Sequence, residues 1–174
     1  YLVMPWISDT FRKDYLEDDT NRNAILRYNY ENLLIMKWGV GYNYNNGRYA
    51  IKANVETSGN LLNLCSGLLN FEKNEQGQYQ VFGIAYAQYA KADFDFTNNI
   101  SFDYNNQLIF HVGFGIAYPY GNSTILPFEK RYFSGGANSV RGWSVRELGP
   151  GKFKGTDGNI AFINQTGDMK LDLN

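Results

Sequence analysis

The most restrictive pattern in this sequence is a long alternation of apolar and polar side chains along residues 80–104. One set of alternate positions is apolar: Ile84, Tyr86, Ala90, Ala92, Phe94, Phe96, Ile100, Phe102 and Tyr104. The other set is mostly polar: Tyr89, Lys91, Asp93, Asp95, Thr97, Asn99, Ser101 and Asp103. Because successive side chains of a strand point to opposite faces, this period of two predicts one long β-strand. No soluble core is polar at so many consecutive positions, so the polar face must meet water.

Four other segments show the same period of two. They are residues 24–45, with a bend expected near Glu31 and Asn32, and residues 49–57, 107–118 and 161–174. In the third of these, large apolar side chains share one face, and His111, Gly113, Gly115 and Ala117 share the other. Such small residues leave room for another part of the chain to lie against that face. The sequence therefore predicts an all-β protein with about five strands.

Short and long connections alternate between these strands. Asn45-Asn46-Gly47 and Asn105-Asn106 predict tight hairpin turns, because Asn and Gly tolerate the left-handed backbone that such turns require. Residues 58–80 and 121–159 are long excursions. In an outer-membrane barrel, which has short periplasmic turns and long extracellular loops, both excursions would lie outside the cell.

The first excursion contains a helical pattern. The apolar residues that recur at helical spacing are Leu61, Leu64, Cys65, Leu68 and Leu69. This spacing predicts a short amphipathic helix that is capped by Ser58 or Asn60. We expect the apolar side of the helix to pack against the strands.

The composition fits a membrane barrel built from strands. Aromatic residues make up 17% of the chain, with 14 Tyr and 12 Phe, which is typical of a β-rich protein with aromatic belts. No apolar run approaches the roughly 18 residues of a transmembrane helix, whereas alternating strands hide a lipid-facing side from such a search. The 16 basic and 17 acidic residues nearly balance, so no nucleic-acid partner is expected.

The second excursion carries the most unusual local sequence. Residues 126–143 combine an extended aromatic stretch, a glycine pair and the tetrad Val140-Arg141-Gly142-Trp143. The residues expected to shape this loop, because their backbones tolerate positive φ, are Gly135, Gly136 and Asn138. The planar fork of Arg141 can be held by carboxylates and aromatic faces together. Taken alone, Arg141 would be an ordinary arginine of a surface loop.

The tetrad Val140-Arg141-Gly142-Trp143 resembles a motif of the outer-membrane barrel insertases and translocators that include BamA, TamA and the two-partner-secretion transporters. Trp143 stands where Phe or Tyr is more usual in that family. Residues 127–139 and 148–151 also look like the family's sixth extracellular loop, and the resemblance is sharpest over residues 118–151. In that family the loop folds back into the barrel lumen, where its arginine docks on acidic residues of the following strands.

The resemblance implies that the chain is a section of a transmembrane antiparallel β-barrel of about 16 strands. Residues 1–174 would belong to this single outer-membrane barrel domain, roughly as strands eight to twelve with the sixth extracellular loop. The N-terminal POTRA domains and the remaining strands are expected outside this chain. Most acidic partners of the loop arginine would lie there as well, and Asp172, on the polar face of the last strand, is the nearest candidate inside it.

The function that the resemblance implies is assembly and insertion of β-barrel proteins in the outer membrane of a Gram-negative cell. The VRGW loop would be docked in the lumen as a structural and gating element. The expected partners are outer-membrane lipids, client β-barrel proteins and accessory assembly subunits. Three alternatives stay open: a pore for two-partner-type protein secretion, a plain diffusion porin, and a soluble antiparallel sandwich.

Catalysis is not expected. His111 is the only histidine, and no G-x-S-x-G elbow accompanies it. Asp93 and Asp95 share a strand face like a glycosidase pair, but a hydrated wall explains them equally well. The Gly135-Gly136 loop lacks the Lys-Ser/Thr of a phosphate loop, and neither Cys-x-x-Cys nor His-x-x-x-His offers metal ligands. We therefore expect no enzymatic activity, no cofactor and no metal.

Overall fold

A computed structural model describes residues 1–16, 29–69, 71–74, 77–137, 139–148 and 166–174, which form two β-sheets and a few short helical segments. The strands are β1 (Leu2–Val3), β2 (Leu33–Leu34), β3 (Lys37–Asn45), β4 (Tyr49–Ser58), β5 (Gln80–Val81), β6 (Ile84–Tyr86), β7 (Tyr89–Asp103), β8 (Asn106–Pro119) and β9 (Met169–Leu173). The helical segments are α1 (Asp9–Phe11), a π-helical turn (Arg12–Leu16), α2 (Asn60–Leu69) and a 3-10 turn (Phe128–Lys130). No helix in these ranges is long and apolar enough to cross a membrane.

The larger sheet has five strands in the order β3-β4-β7-β8-β9, and every neighbouring pair is antiparallel. Its longest members are β7 with 15 residues and β8 with 14. Within the described ranges, β3 and β9 are the two edges of this sheet and do not pair with each other. The predicted antiparallel strands are therefore present, in a sheet that stays open.

The register aligns the alternating side chains of the larger sheet into an apolar face and a polar face. A cross-strand row on the apolar face runs through Tyr42, Ala53, Phe94, Phe114 and Leu171. Large side chains in this row are uncovered: Phe94 and Phe114 are each 43% exposed, and Leu171 is 67% exposed. A soluble sandwich would bury such a face against a second sheet. The described structure instead leaves it open across all five strands.

The neighbouring row of the same sheet shows the polar face. It runs through Gly41, Asn54, Asp93, Gly115 and Lys170. The division into two faces agrees with the alternation in the sequence, and the glycines of β8 lie on the polar side as predicted.

Both predicted hairpin turns are present, and they lie at the same end of the strands of the larger sheet. In the first, Gly47 has a φ of +84°, and the Asn46 side chain accepts a hydrogen bond of 2.7 Å from the backbone N–H of Tyr49. The second turn is centred on Tyr104 and Asn105 rather than on Asn105 and Asn106, because Asn106 already pairs with Asp103. The long connections leave from the opposite end of the strands, as the sequence predicted.

The prediction of one unbroken strand over residues 80–104 was wrong at its start. Phe82 and Gly83 have φ values of +53° and +77°, so the chain reverses between β5 and β6. Two successive residues with positive φ are typical of a tight hairpin turn. After β6 the buried residues Ala87 and Gln88 interrupt the strand, and β7 begins at Tyr89.

The strand predicted over residues 24–45 is also shorter than expected. β3 begins at Lys37, and the preceding Leu33 and Leu34 form β2, which pairs in parallel with β6. Residues 24–28 lie outside the described part of the chain, as do residues 161–165 of the last predicted strand. That strand is described from Met169 onwards as β9.

The smaller sheet has four very short strands in the order β1-β2-β6-β5. It meets the larger sheet at the end of the strands from which the long connections leave, since β6 runs almost directly into β7. The principal buried apolar cluster lies there, and its members are Leu33, Ile35, Ala87, Tyr89, Ala117 and Leu126. The core therefore joins the loop after β8 to the polar face of the larger sheet.

The helix predicted in the first long connection is present as α2, but its orientation was predicted wrongly. Leu61 and Leu64 were expected to pack against the strands, yet they are 58% and 71% exposed. Polar residues of the helix contact the protein instead: Ser66 is buried, and Asn63 accepts a hydrogen bond from the Tyr86 hydroxyl at 3.3 Å. Leu62 and Cys65 are half-buried. Helical spacing shows which residues share a face but not which way that face points.

Candidate functional site

The second long connection lies across the polar face, and residues 126–133 form the part that contacts it. We call these residues the docking segment. Leu126 is completely buried in the core, and Pro127 begins the 3-10 turn that carries Lys130 towards the sheet. The predicted space above the small residues of β8 is therefore occupied by the chain's own loop.

The base of this loop is fixed by buried polar groups. The backbone N–H of Gln88 donates to the Ser123 hydroxyl at 2.9 Å, and the Gln88 side-chain oxygen accepts from the backbone N–H of Asn122 at 2.9 Å. The Asn122 amide in turn donates to the Tyr86 carbonyl at 2.9 Å. Because buried polar groups cost stability when they are unpaired, this network holds the loop at one point of departure.

Tyr132 is the central contact of the docking segment. Its ring lies over Gly115, where an added Cβ would come within 2.6 Å of the phenol carbon and oxygen. Its hydroxyl donates to Asp93 Oδ1 at 2.5 Å, and the Lys91 ammonium lies 4.1 Å from the ring centroid. The glycine, carboxylate and cation come from three neighbouring positions of β7 and β8. Together they form a seat shaped for one aromatic side chain.

Glu56 anchors the second contact. Its carboxylate pairs with Lys130 of the docking segment at 3.1 Å and with Lys37 of β3 at 2.8 Å. The hydroxyl of Tyr89 donates to the same carboxylate at 3.1 Å. One acidic group therefore ties the loop to β3, β4 and β7.

Both docking side chains are partly withdrawn from water. Burial raises the pKa of Tyr132 far above its ordinary value, and the hydrogen bond to Asp93 adds to this because it favours the protonated phenol. Burial lowers the pKa of the Lys130 ammonium, and the Glu56 carboxylate acts against that effect. Such pKa shifts are typical of side chains that are partly buried between a loop and a sheet.

The glycine pair of the loop has the backbone that the sequence suggested. Gly135 and Gly136 have φ values of +94° and +90°. A Cβ on Gly135 would collide with the Ser144 carbonyl oxygen, and the Gly136 N–H donates to the Trp143 carbonyl at 2.9 Å. Asn138, the third residue expected to shape the loop, lies outside the described residues.

The tetrad forms the exposed tip of the loop. Val140 and Trp143 are 46% and 48% exposed, and Gly142 has open space around its Cα. The Nε of Arg141 donates to the Ala137 carbonyl at 3.2 Å. Within the described ranges, no ion pair joins Arg141 to a carboxylate.

Asp172 was the nearest candidate partner for Arg141 in the sequence. In the structure its carboxylate pairs with Lys170 of the same strand at 3.3 Å. The described structure therefore does not bring Arg141 and Asp172 together, and docking of Arg141 on acidic residues stays a prediction.

Arg146 was missed by the sequence reasoning. Its guanidinium lies 4.6 Å from the ring centroid of Phe128 and 4.5 Å from that of Phe133, and its backbone has a φ of +66°. An arginine held by aromatic faces was expected in this loop, and the structure shows it five positions after Arg141. The aromatic residues of the docking segment were the signal that could have located it.

Sequence comparison identifies the family of this chain. The model of the Omp85 superfamily domain matches residues 10–167. Comparisons with curated proteins and with solved structures found no match. The match includes β2 to β8 and the docked loop, so the chain belongs to the Omp85 superfamily of outer-membrane proteins, whose members insert or secrete other proteins.

Proposed function

We propose that this chain is the loop-bearing section of a BamA/TamA-like subunit that assembles and inserts β-barrel proteins into the outer membrane. The observation that carries the proposal is the docked loop, which is held on the polar face by Tyr132 on Gly115 and Asp93 and by Lys130 on Glu56. A loop anchored across a water-facing wall obstructs free diffusion. This suits a protein that handles other proteins better than it suits an open porin.

The membrane barrel follows from the two faces of the larger sheet. A continuous, uncovered apolar face fits contact with lipid, and a polar face fits contact with a water-filled lumen. Open strand edges cannot persist in lipid, because their backbone groups would lack partners. We therefore propose that further strands of the same barrel domain pair with β3 and β9 in the membrane.

The VRGW tetrad is assigned a gating role in this proposal. The docking segment holds the loop on the polar face, and the exposed tip that contains Arg141 is free to contact acidic groups of other strands. Removal of Arg141 would then reduce assembly activity strongly but would have little effect on the docking of residues 126–133. The proposed partners are outer-membrane lipids, client β-barrel proteins and accessory assembly subunits.

The experiment uses the full-length protein in liposomes, with and without the substitution pair Lys130→Gln and Tyr132→Phe. Three quantities are measured: folding of an added client barrel, transport of a soluble passenger, and ionic conductance. An insertase accelerates client folding and conducts little until the loop is undocked.

Transport of the passenger without acceleration of client folding would favour the secretion pore. High conductance that is the same in wild type and variant would favour the porin. Either result would overturn the assignment as an insertase.

A further inference from the structure

Helix α2 exposes two of its leucines and makes its hydrogen bonds to the protein through polar side chains. Asn60, Asn63 and Ser66 lie three residues apart and so share one side of the helix, and Ser66 is buried. Asn63 accepts from the Tyr86 hydroxyl at 3.3 Å, and Asn60 accepts from the Tyr120 hydroxyl at 2.6 Å. Leu61 and Leu64, which are the most exposed leucines of this helix among those described, lie beside these contacts and make none of them. Two large apolar side chains are thus turned away from the protein.

The anchors of α2 show on which side of the sheet it lies. The Asn60 amide donates to the Thr57 hydroxyl at 2.9 Å, and that hydroxyl lies 3.1 Å from the Tyr120 hydroxyl. In the register, Thr57 is paired with Trp38 and with Ala90, which belong to the apolar set of alternate positions. The first residue of the helix is therefore anchored on the apolar side, at the end of the strands from which the long connections leave.

The helix continues an aromatic border of the apolar face. Trp38, in the row of Thr57, and Tyr118, in the row of Ala90, are 60% and 69% exposed at this level. Tyrosine and tryptophan at such a level are typical of the membrane–water interface of a barrel. Because α2 begins two residues after the end of β4, Leu61 and Leu64 lie close along the chain to this border of the face that the proposed barrel turns to lipid.

Residues Asn60–Leu69 contain no charged side chain. Helices that bind anionic headgroups carry Lys or Arg on their polar face, whereas this helix offers only apolar burial. A soluble extracellular partner would have to cover leucines that lie in line with a lipid-covered surface. The acyl region of the nearby leaflet covers them without any additional protein.

We propose that α2 is an interfacial helix that lies in the leaflet at the end of the barrel that carries the long connections, with Leu61 and Leu64 inserted among the lipid chains. This inference rests on the proposed membrane barrel. In this role the first long connection contacts lipid and keeps the adjoining ends of β4 and β7 at a fixed depth in the membrane.

The test places a fluorophore at single cysteines of the full-length protein in liposomes that contain lipids with a shallow or a deep quencher. All native cysteines, including Cys65, are replaced by serine. The labelled variants are Leu61→Cys and Leu64→Cys on α2, Glu72→Cys as an exposed position of the same connection, and Val40→Cys on the apolar face. Exposed positions are chosen so that the label does not disturb folding, and folding is verified by resistance to detergent on unheated gels.

The expected result is a blue-shifted emission at positions 61 and 64 with a loss of intensity to the shallow quencher and little loss to aqueous iodide. Position 72 should respond to iodide alone, and position 40 to the deep quencher. If positions 61 and 64 behave like position 72 while position 40 is quenched by lipid, the inference is overturned and the membrane barrel stands. If position 40 also responds only to iodide, the membrane barrel itself fails. Protection of positions 61 and 64 from both lipid and iodide quenchers would indicate a protein partner and would also overturn the inference.

Discussion

Tyr132 lies on Gly115, so the absence of a single Cβ on β8 decides whether the loop can reach the sheet. The substitution Gly115→Ala places a methyl group within 2.6 Å of the phenol, which cannot move away without leaving Asp93. Overpacking of this kind costs about 1–3 kcal/mol. We expect trypsin cleavage after Lys130 in the folded protein to accelerate roughly tenfold, since about 1.4 kcal/mol corresponds to that factor.

Cleavage after the exposed Lys73 in the first long connection serves as the internal reference for this experiment, and mass spectrometry of the fragments distinguishes the two sites. Gly142→Ala is the matched control, because no atom lies within 4 Å of a Cβ at that position. Equal protection of Lys130 in the Gly115→Ala and Gly142→Ala proteins would show that Tyr132 does not need the glycine seat.

The protonated phenol of Tyr132 makes docking sensitive to alkaline pH. The docked pKa is raised by burial and by Asp93, whereas an undocked tyrosine ionises near pH 10. The stabilisation is therefore complete below about pH 10 and is lost as pH rises above that value, because only the undocked loop readily releases its proton. A spin label at Ser134→Cys should become more mobile between pH 9 and roughly pH 11. In the Tyr132→Phe background the mobility should be higher from the outset, and its rise over this range should be smaller, because only the loss of the Lys130 proton would then weaken docking.

The sequence predicted the sheet better than it predicted the site. Alternation placed Phe94 and Asp93 on opposite faces correctly, because the period of two follows directly from strand geometry. The reversal at Phe82 was missed because its turn carries no Asn-Gly signal, and the direction of α2 was missed because spacing alone does not set it.

The docking contacts could not be located from the sequence for a different reason. Tyr132 and Asp93 are 39 positions apart, and only the register of β7 with β8 brings Asp93 beside Gly115. The small residues on the polar face of β8 predicted that another part of the chain would lie against them, and this was correct. Which side chain would fill the space depends on the path of a long loop, and local patterns do not specify such a path.

Glu56 is expected to hold the loop through charge. In Glu56→Gln the ammonium groups of Lys130 and Lys37 lose their shared counter-charge. Hydrogen bonds to charged groups contribute about 1.5–3 kcal/mol, and partial exposure of this cluster places the expected loss towards the lower end. Hydrogen exchange of residues 126–133 should accelerate. Asp95→Asn is the control, because Asp95 pairs with His111 and not with the loop, and equal acceleration in both variants would contradict the role of Glu56.

The apolar face gives a prediction for the whole barrel. Phe94→Lys puts a charge on the exposed apolar row of β7, where lysine in a bilayer costs about 2–4 kcal/mol near the midplane. Thr97→Lys changes the same strand on the polar face and should be tolerated. The measurement is the fraction of full-length protein that folds into liposomes, read from migration of unheated samples. Normal folding of Phe94→Lys together with failure of Thr97→Lys would reverse the assignment of the faces.

The two arginines of the loop are expected to separate docking from activity. The Arg146 guanidinium lies against Phe128 and Phe133, and each such contact contributes about 0.5–2 kcal/mol. Arg146→Ala should therefore loosen the docking segment and increase cleavage after Lys130. Among the described residues, the Arg141 side chain donates a hydrogen bond to the Ala137 carbonyl and forms no ion pair. Arg141→Ala should therefore leave that cleavage unchanged while it reduces insertion of a client barrel. If Arg141→Ala instead retains full insertion activity, the tip of the loop has no gating role, and docking by Tyr132 and Lys130 is sufficient for its function.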